Sequence, residues 1–311
     1  MHRIAIALLL LWAGCANHDT SASMPPPTGS GVGSGYTATR YPIVLIHGLF
    51  GFKSIINTVD YFPGVAESLE QDGARVFVVA ASQANDSDTR MKQLVPQLEH
   101  IRDVTGAARL NLIGHSQGSQ DARAIAATRP DLVASVTSVG GPHKGSPVAN
   151  VFLSLPGGTG VAAAQAAADL LRALSGSDEP NDAKAALEFL TPESAAAFNK
   201  RYPAAVPQTD CGEGEPIVNG ISYYSWGGVA VLTNPLDPVD PFMGTFSTAV
   251  QGESDGVVPR CSSHLGMVIR DDYLQNHPDE ANLVMQLVSP LGTNPKELYR
   301  AQANRLKLAG L

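Results

Sequence analysis

The sequence predicts an α/β fold, a mostly parallel central sheet flanked by helices with a helical insertion near its middle. Three observations predict it. Between residues 41 and 139, short apolar runs alternate with segments of helical periodicity. The runs are spaced so that a helix fits between successive strands, the mark of parallel pairing through right-handed crossovers. A Gly-x-Ser-x-Gly run, Gly114-His115-Ser116-Gln117-Gly118, stands where a predicted strand gives way to a predicted helix.

The elements follow in order. Residues 41–46 form an apolar run ended by His47-Gly48, a buried-strand signal. Residues 60–72 carry Val65, Ala66 and Leu69 between polar positions and read as a helix closed by Gly73. Residues 74–81 are a second strand. Residues 91–104 are a helix with Leu94, Val95, Leu98 and Ile101 on one face. Residues 109–113 are a third strand, 117–128 a helix stopped before Pro130, and 132–139 a fourth strand. From 145 to 207 strand signals vanish. An Ala-rich helix at 160–174 carries Val161, Leu170, Leu171 and Leu174, and the stretch reads as a lid or cap inserted between strands. Strand signals return at 221–226 and around 246–250. Residues 279–287 read as a core helix and 296–308 as another.

Composition bounds the function. The chain has 311 residues, 44% hydrophobic and 16% charged, enough for one domain with a sizeable core. A net charge of -8 argues against nucleic acid, whose phosphates need clustered Lys and Arg. At the N-terminus, Arg3 precedes a nine-residue apolar run from Ile4 to Trp12 and then Ala13, Gly14, Cys15 and Ala16. This reads as an export signal over 1–16. The run is too short for a membrane-spanning helix, which needs about 20 residues, and no later stretch qualifies. Residues 17–40, rich in Ser, Gly, Pro and Thr, read as a flexible linker of about 25–30 Å reach. The expected product is a secreted or surface-anchored domain over 41–311.

Cysteine usage fits export. Of the three cysteines, Cys211 and Cys261 lie in the body. A bond between them would close a loop of about 50 residues, worth roughly 4 kcal/mol on the chain-entropy model. Cys15 sits at the end of the signal, in a run resembling a bacterial lipobox. Lipidation of Cys15 and cleavage after Ala16 are the two alternatives there.

The Gly-x-Ser-x-Gly run gains its meaning from context. A strand before it and a helix after it make a nucleophile elbow, a sharp turn that exposes the Ser116 hydroxyl above the sheet. The helix N-terminus beneath favours negative charge there. An acyl-transfer intermediate needs two N–H donors at its oxyanion. Gln117, after the nucleophile, supplies one, and Leu49, in the loop after the first strand, is the choice for the other. Hydrolases of this type order the triad Ser, then acid, then His. Of the late histidines, His277 in a loop before Pro278 is preferred as base. His264, near Cys261, reads as a structural hydrogen-bonding residue. Asp255 is the best candidate acid, with Asp237, Asp240 and Glu253 as competitors.

At this point the chain resembles the true lipases of Pseudomonas and Burkholderia, foldase-dependent members of the α/β-hydrolase superfamily. The runs that carry the resemblance are YPIVLIHG at 41–48, NLIGHSQG at 111–118, VGGPHKGS at 139–146, CGEG at 211–214, YYSW at 223–226, CSSHLGMVIRD at 261–271 and ANRLK at 303–307. By position it implies the triad Ser116, Asp255 and His277, oxyanion donors Leu49 and Gln117, and a Cys211–Cys261 disulfide. It also implies one structural calcium, held by the carboxylates of Asp237 and Asp279 and the backbone oxygens of Leu283 and Leu287. An all-oxygen set suits a hard cation. The resemblance further implies a lipase-specific foldase and a lipid ester met at an oil–water interface, by a monomer. Two departures stand out: Cys15, and a lid region at about 148–174 that is rich in Ala and poor in large apolar residues.

The expected chemistry is hydrolysis of long-chain carboxylic esters, triacylglycerol above all, through an acyl-enzyme at Ser116. Two other readings compete. One is an esterase for short or soluble esters with a vestigial lid. The other is a surface-tethered binding protein that has the fold without the catalysis.

Overall fold

The computed structural model describes residues 35–56 and 59–311. The export signal at 1–16, Cys15 and residues 17–34 lie outside the described residues.

The sheet is built from strands whose side chains are buried on both faces. Strand β1 (Ile43–Ile46), β5 (Leu110–His115) and β6 (Val133–Val139) are buried at every position. Near-continuous apolar runs of this kind mark parallel strands covered above and below. Alternation then divides the residues between two cores. Val44, Ile46, Leu112 and Val136 pack with Leu94 and Leu98 of α2 (Ser87–Thr105) and Ile125 of α3 (Gln117–Thr128). Ile43, Leu45, Ile113 and Val139 face the other way, onto Val65 and Leu69 of α1 (Val65–Glu70) and Tyr299 and Ala303 of α9 (Pro295–Leu308). Each fully buried Leu or Ile contributes roughly 1.5–3 kcal/mol.

The strand order is β4-β1-β5-β6-β8-β7, with β9 also paired to β8. Here β4 is Val76–Val79, β7 Ile217–Val218, β8 Ile221–Gly228 and β9 Met267–Tyr273. All pairings are parallel except β7 with β8. Strand β4 is an edge. Just past it, the Gln97 side chain of α2 pairs with one backbone residue: its Nε2 donates to Ala80 O at 2.7 Å and its Oε1 accepts from Ala80 N at 3.3 Å. A two-strand ribbon, β2 (Ser54–Ile55) with β3 (Val59–Asp60), stands apart.

Between β6 and β7 the chain forms four helices: α4 (Pro147–Ser154), α5 (Thr159–Ser175), α6 (Ala183–Phe189) and α7 (Pro192–Arg201). This is the all-helical stretch expected at 145–207. Its small core is Ala84, Ala149, Ala164, Ala168, Ala183 and Ala186 with Leu187 and Leu190. Alanine contacts bury little area per residue, so these helices hold one another less firmly than the sheet holds its layers. Among the described residues, no single helix is long and apolar enough to cross a membrane.

Several expectations are corrected. Residues around 246–250 are not a strand: α8 (Asp240–Ser247) runs through Phe246 and ends in turns. Met243 and Phe246, three apart, lie on one helical face, and tertiary packing overrides the β-branched run that follows. Residues 279–287 are not a helix. One 3-10 turn, Asp279–Ala281, stops at Asn282, and Asn282, Met285 and Gln286 all have positive φ. The helix expected at 60–72 starts only at Val65, after Pro63 and a left-handed Gly64, although Gly73 does close it. The helix expected from Met91 starts at Ser87, because Asp86 caps it by accepting from Thr89 N at 3.0 Å. Strand β9 was not anticipated. Thr37, Ala38 and Thr39, counted with the linker, are buried, and Arg40 N donates to Leu311 O at 2.7 Å.

Candidate active site

Ser116 sits between the last residue of β5 and the first of α3. Its φ of 55° and ψ of -128° are a strained conformation for a residue with a Cβ. The turn is sharp because Gly114 and Gly118 let backbone meet backbone. A Cβ on Gly114 would lie 2.3 Å from the Gly118 carbonyl, and one on Gly118 would lie 2.3 Å from Ile46 O. Ser116 N donates to Val139 O at 2.8 Å, which fixes the elbow to β6.

His277 lies in the loop after β9. Its Nδ1 donates to Asp255 Oδ2 at 2.7 Å, and its backbone N donates to Asp255 O at 2.9 Å. Asp255 is held in turn: its Oδ1 accepts from Val257 N at 2.8 Å and Val258 N at 2.6 Å. With the proton on Nδ1, Nε2 of His277 is the bare nitrogen. The other candidate acids are engaged elsewhere. Asp240 accepts from Thr233 N, Asn234 N and Asn276 Nδ2, while Glu253 pairs with Arg260 at the surface. His264 bridges Gly212 O and Asp271 Oδ2 beside the Cys211–Cys261 disulfide, whose Cα atoms are 4.8 Å apart.

Ser116 and His277 open onto one cavity of about 260 Å³, with Leu49 on its rim. Its walls are apolar: Phe152, Leu187, Leu190, Met243, Phe246 and Val258. The N–H groups that follow Leu49 are taken. Phe50 N donates to Gln83 O at 2.6 Å and Gly51 N to Gly48 O at 3.1 Å. Gln117 is the first residue of α3, where an N–H has no acceptor within the helix. Its side-chain Nε2 donates to Asn85 O at 2.7 Å.

The sequence reading missed several groups. Glu280 is fully buried, with Oε2 3.7 Å from His277 Nδ1 and 3.6 Å from His115 Nε2. Burial, then the charge of Asp255, pushes its carboxyl well above the usual range. His115, His277 and Glu280 offer ligand atoms within 4.8 Å of one another. This mixed nitrogen and oxygen set belongs to the surroundings of His277 and is not an all-oxygen calcium set. No local pattern marks Glu280, whose position matters only through the fold of the loop after β9.

Three buried histidines surround the site, each bonded at both ring nitrogens. His47 donates from Nδ1 to Gly48 O and accepts from Ala81 N at Nε2. His143 accepts from Arg123 at Nδ1 and donates from Nε2 to Ser138 Oγ. His115 bonds Tyr61 and His277 O. Burial, then the Arg90 charge, lowers His47 to about 3. Burial lowers His115 and His143 well below the ordinary value too. All three pKa values are lower folded than unfolded, so unfolding takes up protons below about pH 6.5. The three histidines therefore favour the folded state fully above that pH and progressively less as pH falls toward 3, while the raised carboxyls of Asp279 and Glu280 act in the opposite sense over the same window. The expected slope is about 1.4 kcal/mol per pH unit for each histidine. Urea unfolding of the wild type and of His47→Gln at pH 7 and 5 checks this: the variant should lose less stability on acidification, and equal losses would contradict it.

Comparison with known proteins places this geometry. A family model described as the alpha/beta hydrolase fold matches residues 41–267. A triacylglycerol lipase of Vibrio cholerae serotype O1 is 47% identical, covering 99% of this chain and 98% of its own length. One from Pseudomonas fragi is 45% identical, covering 88% of this chain and 98% of its own. One from Burkholderia plantarii is 35% identical, covering 89% and 88%. Among solved structures, a Staphylococcus hyicus lipase superposes with a TM-score of 0.60 at 16% identity, covering 92% of this chain and 99% of its own. The mature form of a Bacillus licheniformis lipase gives 0.59 at 18%, covering 86% and 92%. At such identities these two speak to the fold alone.

Proposed function

The chain belongs to the α/β-hydrolase family, with bacterial triacylglycerol lipases as its relatives, and from that premise we propose that it is a lipase acting through Ser116, Asp255 and His277. The observation that carries this is the Asp255–His277 pair at 2.7 Å, opening with Ser116 onto an apolar cavity. His277 Nε2 takes the Ser116 proton as Oγ attacks the ester carbonyl carbon. The N–H groups of Leu49 and Gln117 hold the oxygen that becomes negative. Asp255 keeps the imidazole tautomer and stabilises the imidazolium. Collapse expels the alcohol with the proton from His277. Water, deprotonated by the same nitrogen, then releases the acid.

The apolar walls suit a long acyl chain. Helix α4, which lines the cavity through Val148, Ala149 and Phe152, serves with α5 packed on it as a lid: Val151, Leu155, Leu170 and Leu174 are exposed on the pair, and alanine contacts beneath make it cheap to lift. Comparing hydrolysis of an emulsified long-chain glyceride with that of a soluble short-chain ester tests the substrate class. At least tenfold preference for the emulsion is expected of a lipase, a difference of about 1.4 kcal/mol in transition-state binding. No preference would make the protein an esterase. Failure of a fluorophosphonate to label Ser116 would leave a binding protein.

We also propose a structural calcium. Asp237 is buried, and its Oδ2 has no hydrogen-bond partner. Asp279, also buried, has its carboxyl pushed up to about 7, by burial and also by the nearby charge of Asp237. Two buried carboxylates with an oxygen to spare fit a hard cation, with the Leu283 and Leu287 carbonyls completing the set. A bound ion would neutralise both and steady the loop after His277, which contains three non-glycine residues of positive φ. Chelation should lower Tm by about 5 °C, and Asp237→Asn should remove that response. An unchanged Tm on chelation would count against the ion. Export through residues 1–16, with Cys15 lipidated or removed, a monomeric state and help from a foldase complete the reading.

A further inference from the structure

A chain of hydrogen bonds, none of whose side chains touches the reacting ester in the mechanism above, joins three of the loops that do. His115, one residue before the nucleophile, is buried. Its Nε2 lies 2.9 Å from the backbone oxygen of His277. A carbonyl only accepts, so Nε2 carries the proton and Nδ1 is bare. Nδ1 therefore takes the Tyr61 hydroxyl, 2.8 Å away. Tyr61 Oη in turn accepts from Gly48 N at 3.3 Å. The path runs from the residue beside Leu49, through the ribbon-side Tyr61, to the elbow, and ends on the backbone of the base.

We propose that Tyr61 and His115 are positioning residues for ester hydrolysis: they lock one imidazole tautomer that fixes His277 relative to the oxyanion loop. This rests on the roles proposed for Ser116 and His277.

The opposite tautomer has no place to go. It would set the bare Nε2 against the His277 oxygen and aim Nδ1–H at Tyr61, whose own O–H would then lose its acceptor. A doubly protonated ring is no better. The His115 and His277 rings have centroids 4.7 Å apart, so a cation on His115 would oppose the imidazolium that forms on His277. The other titratable groups facing His115 are Tyr61, His47 and Glu280, and burial holds the imidazole neutral among them. Tyr61 also packs edge-on against Phe52 and Phe62. If that packing were its whole role, Tyr61→Phe would keep the ring and change no rate.

The test is spectroscopic and kinetic. In protein labelled with ¹⁵N-histidine at pH 7, long-range ¹H–¹⁵N spectra should show His115 as a single neutral Nε2–H tautomer. Tyr61→Phe should keep that tautomer, which the His277 carbonyl dictates, and shift the Nδ1 resonance that loses its hydrogen bond. On a soluble p-nitrophenyl ester it should lower kcat about tenfold, with KM within about twofold, the loss of one buried hydrogen bond felt at the transition state. His115→Gln, which keeps a donor and an acceptor, should retain more activity than His115→Phe. An Nδ1–H or protonated His115 in the wild type overturns the proposal, and so does an unchanged kcat in Tyr61→Phe. If fluorophosphonate still labels Ser116 in that case, only the positioning roles fall. If it fails to label the wild type, the underlying reading of the site falls with them.

Discussion

Ser116→Ala should lower kcat by roughly 10⁴–10⁶-fold while leaving the fold intact. The reason is local. Oγ is the only heavy atom removed, and among the described residues the other hydroxyls lining the cavity, Tyr61 and Ser146, do not sit on the elbow. Alanine keeps the Cβ, so the backbone conformation is no harder to hold than before. The Gly114 and Gly118 contacts that shape the turn are unchanged. The residue left over measures what Leu49, Gln117 and the apolar walls do without a nucleophile. The measurements are initial rates on a soluble ester, stoichiometric labelling by a fluorophosphonate, and Tm. Activity within tenfold of the wild type would place the nucleophile elsewhere.

Arg90→Met should destabilise the protein by about 3–5 kcal/mol, the usual cost of stranding one member of a buried ion pair. Arg90 and Asp121 are both fully buried, with Nε 2.8 Å from Asp121 Oδ2. The remaining guanidinium nitrogens donate to Ser82 O at 2.5 Å and His47 O at 2.7 Å. Removing Arg90 strands a carboxylate and two carbonyls at once. Burial already pushes the Asp121 carboxyl up against the pull of Arg90, so desolvation is the larger effect on it. The pair is therefore better explained by what it positions than by what it stabilises. Arg90→Met with Asp121→Leu should recover much of the stability, because an apolar pair replaces an ionic one. It should not recover kcat/KM, because His47 O, two residues before Leu49, stays untethered. Urea midpoints and kcat/KM on the three variants decide. A fully active double variant would show that the tie has no bearing on the oxyanion loop.

What the sequence made legible was whatever is written locally. Gly114 and Gly118 flank Ser116 within five residues, so strand, turn and helix could be read together. The order Ser, acid, His left His264 and His277 as bases and Asp255, with Asp237, Asp240 and Glu253 beside it, as acids; the preferred pair, Asp255 and His277, is the one the fold brings to 2.7 Å. Short apolar runs gave β1, β5 and β6 because their burial is continuous. The groups that escaped notice act across the fold. Tyr61 meets His115 over 54 positions and Arg90 meets His47 over 43. Glu280 matters because its loop folds it under His277. The two wrong elements share a cause. Phe246 and Met243 sit on a helix because the cavity needs them on one face. The loop from Asn282 to Gln286 bends left-handed where apolar periodicity suggested a continuous helix. Both outcomes depend on tertiary neighbours that no local window contains.

The Gln97 side chain at the end of β4 has a consequence for the solution behaviour of the protein. Val76–Val79 is an outer strand of apolar, β-prone residues, and its free side offers N–H and C=O groups to any extended chain that drifts near. By bonding both backbone groups of Ala80, the Gln97 amide imitates one residue of a neighbouring strand and closes off the place where pairing would continue. The amide thus works as a stopper against edge-to-edge aggregation. Because Gln97 is carried by α2, that protection begins once this helix has packed on the sheet.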